Sequence, residues 1–164
     1  MNGIPLAAMP DNEDVARFFS AALRREVTTK AVKPTPDDRL VIAGHFVNGM
    51  KTVIGGCFCD RSLVAYAGAA FSLVPADAAE ESLAPGAELD EILVENFAEI
   101  LNICSRLFEG GTGQRVTLSS IEYPGTPASE ASRAMLKNPV KRLDVEVDIA
   151  GYGKGRIALA LQQG

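Results

Sequence analysis

The stretch Leu89-Asp90-Glu91-Ile92-Leu93-Val94-Glu95-Asn96-Phe97-Ala98-Glu99-Ile100-Leu101-Asn102-Ile103-Cys104-Ser105-Arg106-Leu107-Phe108 decides the reading of the fold, because a single period runs through it. At about 100° per residue, Leu93, Phe97, Ile100, Leu101, Cys104, Leu107 and Phe108 gather on one side, and Glu95, Glu99, Asn102 and Arg106 form a narrow polar stripe on the other. The spacing predicts a helix of roughly five turns over 89–108, with its apolar face on a core and its stripe outward. Glu109-Gly110-Gly111-Thr112-Gly113 then ends it, since glycine readily takes the left-handed conformation of a C-terminal cap.

Upstream, residues 12–25 place Val15, Phe18, Phe19 and Leu23 at helical spacing, with Glu13 and Asp14 at the start and Arg24 and Arg25 at the end, charges that complement a helix dipole. Residues 27–32 are rich in Val and Thr and read as extended. The run Lys33-Pro34-Thr35-Pro36-Asp37-Asp38 is a loop. Two apolar runs, 40–47 and 52–59, flank Asn48-Gly49, whose tolerance of positive φ favours a tight turn, so an antiparallel pair is expected. Asp60 is placed to cap a helix through about Leu73, with Leu63, Tyr66, Ala67 and Ala70 as its apolar face. The acidic, alanine-rich run up to Gly86 reads as an exposed connection.

Downstream, residues 115–121 form a candidate strand, and 124–138 read as a connection containing Pro and Ser. Leu143, Val145, Val147 and Ile149 alternate with Asp144, Glu146 and Asp148, the mark of a strand with one face buried. Gly151-Tyr152-Gly153-Lys154-Gly155 turns the chain into a last strand with Ile157, Leu159 and Leu161 inward. Strands and helices in this order make an α+β fold, and 164 residues with 47% hydrophobic content suit one domain over 1–164.

Composition narrows the function classes. The net charge is −5, and no run of Lys and Arg is dense enough to neutralise a phosphate backbone, so nucleic acid is not an expected partner. No stretch approaches the about 18 apolar residues that span a bilayer, and Met1-Asn2-Gly3-Ile4-Pro5 lacks the basic patch and apolar run of a secretion signal; no membrane association and a cytoplasmic location are expected. Cys57, Cys59 and Cys104 are an odd number without metal spacing, and read as reduced packing residues. Neither glycine-rich run opens a helix after a strand, so neither is a phosphate loop. His45 is the only histidine and reads as a strand histidine with a satisfied ring.

The stripe remains. Glu95, Glu99 and Asn102 stand at i, i+4 and i+7, two carboxylates and an amide in line over about two turns. Such a line fits the active site of another protein, a carboxylate pairing with a lysine and the amide holding a water as donor and acceptor together. The same spacing also makes an ordinary solvated helix face.

The segment Glu95-Asn96-Phe97-Ala98-Glu99-Ile100-Leu101-Asn102 resembles the signature helix of the CheC/CheX/FliY phosphatases, whose pattern is Asp or Ser, then x-x-x-Glu-x-x-Asn, with a proline further on for which Pro124 is the candidate. The order of elements is similar over most of the chain. The resemblance implies a CheC-like fold whose helix docks on a phosphorylated response-regulator receiver domain and hydrolyses its aspartyl phosphate, as in chemotaxis and other two-component signalling. By position Glu99 would bind the partner's active-site lysine, Asn102 would orient the attacking water, and Glu95 and Arg106 would be partner-binding. This chain would hold no cofactor or metal, Mg²⁺ belonging to the partner receiver. A single Glu-x-x-Asn is similar to the CheX type, which implies a homodimer. Two departures bear on activity: Glu95 stands where the family has Asp or Ser, and Arg106 follows where small residues are common, either crowding the docking surface or adding a charged contact. The alternative is a CheC-like fold acting as a non-catalytic binding or adaptor module.

Overall fold

The computed structural model describes residues 8–110 and 114–162, and its first helix, α1 (Asn12–Leu23), opens on a capping box. Asp11 Oδ1 accepts from the Asp14 N–H at 2.8 Å, and the Asp14 carboxylate accepts from the Asp11 N–H at 2.9 Å. The Val- and Thr-rich run is β1 (Val27–Val32), and a single 3₁₀ turn, Asp37–Arg39, leads into the hairpin of β2 (Leu40–Val47) and β3 (Val53–Asp60). The turn between them differs from expectation in that its left-handed residue is Lys51, with φ 65°, rather than Asn48 or Gly49. Asn48 accounts for this. Its Oδ1 accepts from the N–H groups of Met50 and Thr52, at 2.9 and 3.0 Å, so its side chain holds the turn while the chain reverses two residues later.

Asp60 caps α2 (Arg61–Phe71), accepting from the Leu63 N–H at 2.9 Å and, across the sheet, from the Arg156 N–H at 3.0 Å. Val64, Ala65, Gly68 and Ala69 are buried along with the expected Leu63, Ala67 and Ala70, so α2 is enclosed far more fully than one apolar face implies. The alanine-rich segment expected as an exposed connection contains α3 (Ala76–Ser82), whose Ala79 is fully buried against Ala65, Ala69 and Leu93. Small side chains that looked like linker composition serve here for close helix packing.

The helix predicted over 89–108 is two helices, α4 (Glu91–Ile103) and α5 (Ser105–Glu109). At the break the Cys104 N–H is shared between the carbonyls of Ile100 and Leu101, at 3.0 and 3.1 Å, and the Leu107 N–H bonds the Cys104 carbonyl at 2.9 Å, a tightening toward 3₁₀ geometry. Ser105 Oγ donates to the Asn102 carbonyl at 3.2 Å, competing for an acceptor the ladder would otherwise use. The two-sidedness survives the break: the seven apolar residues of the predicted face are all buried. Of the predicted glycine cap, Gly110 has φ 27°, and Gly111, Thr112 and Gly113 lie outside the described residues.

β4 (Thr117–Glu122) begins two residues later than expected, and the stretch read as a connection contains α6 (Glu130–Lys137), capped by Ser129 Oγ accepting from the Ser132 N–H at 3.1 Å. β5 (Lys141–Ile149) and β6 (Gly153–Leu161) follow the predicted alternation, with Val145, Val147, Ile149, Ile157, Leu159 and Leu161 on the core side. Leu143, however, is only half-buried, and Asp144, expected on an open polar face, is buried, accepting from the Thr35 N–H and from Arg142 Nε, each at 2.8 Å.

The strands form one antiparallel sheet in the order β1-β5-β6-β3-β2-β4. One face carries α1, α2, α4 and α5 over a core that includes Phe19, Phe46, Leu63, Phe97, Phe108 and the three free cysteines, whose burial pushes the Cys57 and Cys59 thiols well up in pKa. On the other face Met135 and Leu136 of α6 cover Ala43, Phe58, Ala158 and Ala160. This is the expected α+β fold. No helix among the described residues is long and apolar enough to cross a membrane.

Candidate functional site

α4 is held at its start and along its length. At its start Asp90 Oδ1 accepts from the Ile92 N–H at 2.8 Å, and the Asp90 N–H donates to Ser82 Oγ at 3.0 Å, which ties the helix to α3. The Arg61 guanidinium donates to the carbonyls of Ser82 and Ala87 and so fixes the connection between α3 and α4. Along its length Asn96 Nδ2 donates to the Gly68 carbonyl at 2.8 Å and to Ser72 Oγ at 2.7 Å, clamping α4 to α2. The two helices approach so closely that a Cβ at Gly68 would stand 2.3 Å from the Leu93 carbonyl oxygen, a distance only glycine permits.

With its inner face locked, α4 presents Glu95, Glu99 and Asn102 to solvent, and Arg106 continues the line on α5. All four are exposed, at spacings that set neighbouring Cβ atoms roughly 5–6 Å apart. The sequence reading omitted Ile92, which is 58% exposed and stands three residues before Glu95 at the head of the same line. Its signal was present: an apolar residue at the i−3 position of an outward carboxylate belongs to the outward face. The surface thus runs from an apolar residue through two carboxylates and an amide to a guanidinium.

A groove of about 630 Å³ separates α1 from the α4–α5 junction, lined by Phe18, Ala22, Ile103 and Leu107, with Arg17 and Arg106 at its margin. A smaller pocket of about 320 Å³ lies between the end of α4, α5 and the entry to β4; Asn102 and Arg106 reach it.

His45 lies on the opposite face of the sheet, beneath α6. Its Nε2 is 2.7 Å from Ser132 Oγ and 3.6 Å from Glu122 Oε2, and Ser132 Oγ also donates to Glu122 Oε1 at 2.9 Å. Nε2 of the ring is thus partnered, and its partners come from a strand end and from the segment read as a connection. A hydrolytic triad needs the hydroxyl on one imidazole nitrogen and the carboxylate on the other. Here both sit on Nε2, which makes the cluster a structural clasp. Burial pushes the His45 pKa down, against the opposing pull of Glu122. For Glu122, burial acts upward, but hydrogen bonds from Ser129 and Ser132 and the charge of His45 hold it below the usual carboxylate value.

No family model and no curated protein matches the sequence. Among solved structures, the chain is similar to the FliM middle domain from H. pylori at 12% identity and a TM-score of 0.55, over 92% of this chain and 84% of that one. It is similar to FliY from Thermotoga maritima at 14% identity and a TM-score of 0.53, over 91% and 82% respectively. A chain of the CheX-CheY-BeF3-Mg+2 complex from Borrelia burgdorferi matches at 12% identity and a TM-score of 0.52, over 93% of this chain and 99% of that one. At such identities the likeness is one of fold: the chain has the CheC/CheX/FliY-type fold.

Proposed function

We propose that this chain, with its CheC/CheX/FliY-type fold, lays the exposed line of α4 on a phosphorylated response-regulator receiver domain and speeds hydrolysis of the aspartyl phosphate. The observation that carries the reading is that Glu99 and Asn102, three residues apart, are both exposed on a helix whose other face is locked into the core. Glu99 would pair with the receiver's lysine, drawing it toward the docked helix. Asn102 would hold the attacking water through its carbonyl oxygen and amide, in line with the phosphorus. Mg²⁺, supplied by the receiver's own acidic pocket, would offset charge on the phosphoryl oxygens. Glu95 and Arg106 would make flanking contacts. A single Glu-x-x-Asn per chain suits a homodimer with one site per protomer; sedimentation at twice the monomer mass is the expected result, and a monomer at micromolar concentration would count against it.

The test is the decay of a phosphorylated receiver domain in Mg²⁺ with and without the chain. Faster decay that disappears in Asn102→Ala is expected. Unchanged decay with measurable binding would favour the second reading, a non-catalytic adaptor. Likeness to the FliM middle domain supports that reading as much as likeness to the CheX complex supports the first, because the fold is common to both.

A further inference from the structure

The pocket of about 320 Å³ at the end of the stripe has a chemical character of its own. Arg106 comes to it from α5 and Arg115 from the entry to β4, and among the described residues neither guanidinium takes part in an ion pair. Asn102, Ser105 and Thr117 add an amide and two hydroxyls. One carboxylate, Glu109, also lines the pocket, and it accepts from the Val116 N–H at 3.1 Å. The carbonyls at the end of α4 would repel an anion if they faced it bare. Those of Ile100 and Leu101 are taken by the Cys104 N–H, and that of Asn102 by the Ser105 hydroxyl. The break in the predicted long helix is what brings this about, because it is at the break that these carbonyls find their donors. Two arginines outside any ion pair among the described residues, lining one polar pocket, match a small tetrahedral oxyanion, which accepts several charge-assisted hydrogen bonds at once.

We infer that this pocket binds a phosphate-class oxyanion through Arg106 and Arg115. Only the source of that anion rests on the function proposed above: Asn102 lines the pocket, so its occupant is either the phosphoryl group still on the partner or the phosphate released from it.

Inorganic phosphate titrated into the full chain at constant ionic strength, followed by NMR at the Arg Nε–H groups and the Ser105 and Thr117 amides, decides the site. Saturable shifts centred there are expected, with affinity weakened about tenfold or more in Arg106→Gln/Arg115→Gln and unchanged in Arg17→Gln. Absence of saturation, or undiminished binding in the double variant, would overturn the site. Dephosphorylation assays then separate the sources. If the anion is the partner's phosphoryl group, single-turnover hydrolysis at saturating chain slows in Arg115→Gln. If it is released phosphate, added phosphate inhibits the wild type but not Arg115→Gln. A wild-type chain that leaves the receiver phosphate intact while still binding free phosphate would remove the phosphatase reading and keep the site.

Discussion

α4 and α6 pack on opposite faces of the same sheet, and they differ in how they announce themselves. α4 has thirteen residues with its polar and apolar positions sorted onto two sides, and its inner face packs under Phe46, Leu63 and neighbouring core residues. α6 has eight residues flanked by Ser and Pro, and its buried contribution reduces to Met135, Leu136 and the hydroxyl of Ser132. α4 is held mainly by apolar burial, with chemistry left free on its outer side. α6 is held by a small apolar patch and a buried polar clasp that consumes the hydroxyl of Ser132. Polar residues at the surface of a large apolar helix are available for work; polar residues beneath a short helix are already employed in holding it down.

Substitutions sharpen that contrast. The largest effect belongs to the inner face of α4: Phe97, fully buried, truncated to alanine is expected to lose about 3–5 kcal/mol of stability in urea denaturation, and an unchanged midpoint would mean that the helix is turned the other way. The outer face should behave oppositely. Asn102→Ala is expected to slow receiver dephosphorylation about 10²–10³-fold while the melting temperature stays that of the wild type. A loss of activity accompanied by a loss of stability would erase the distinction between the two faces.

On the other side of the sheet the polar clasp, not an exposed residue, carries stability. Ser132→Ala strips His45 Nε2 and Glu122 Oε1 of a buried hydroxyl, and a loss of about 1–3 kcal/mol is expected by chemical denaturation. The smallest effect is one of pH. Burial holds the folded His45 pKa below its ordinary value of 6.5, so below about pH 6.5 the unfolded chain takes up a proton that the folded chain resists. Stability from this group is complete above that pH and declines as the pH falls toward the folded value. Asp60, whose pKa burial raises, acts in the opposite sense but is common to both proteins in a comparison with His45→Gln. The drop in urea midpoint between pH 7.5 and 5.5 should be greater for the wild type than for the variant; equal drops would show that His45 is not held neutral.

Much of this was legible beforehand. The alternation of β5 and β6 and the separation of Phe97 from Glu99 and Asn102 follow from periods of two and 3.6 residues, which a chain carries wherever it folds, and the hairpin of β2 and β3 from two apolar runs on either side of a short polar connection. Ile92 is legible by the same rule, although its residue type alone suggests a core position. The break at Cys104 was not, since the apolar period continues through it and only a serine hydroxyl reaching back to a carbonyl betrays it. α3 and α6 were obscured for another reason: alanine-, serine- and proline-containing runs have the composition of linkers, and what makes them helices is the surface they cover.

By itself, then, the sequence determined the type of most elements, the two faces of α4 and the exposure of the Glu-x-x-Asn line, because each is a property of residues within a few turns of one another. Only the tertiary structure decided the strand order β1-β5-β6-β3-β2-β4, the covering of the second face by α6, the meeting of His45 with Ser132 across 87 residues, and the convergence of Arg106 and Arg115 on one pocket. Those arrangements depend on which surfaces find each other once loops close, and no local period encodes the partner of a surface.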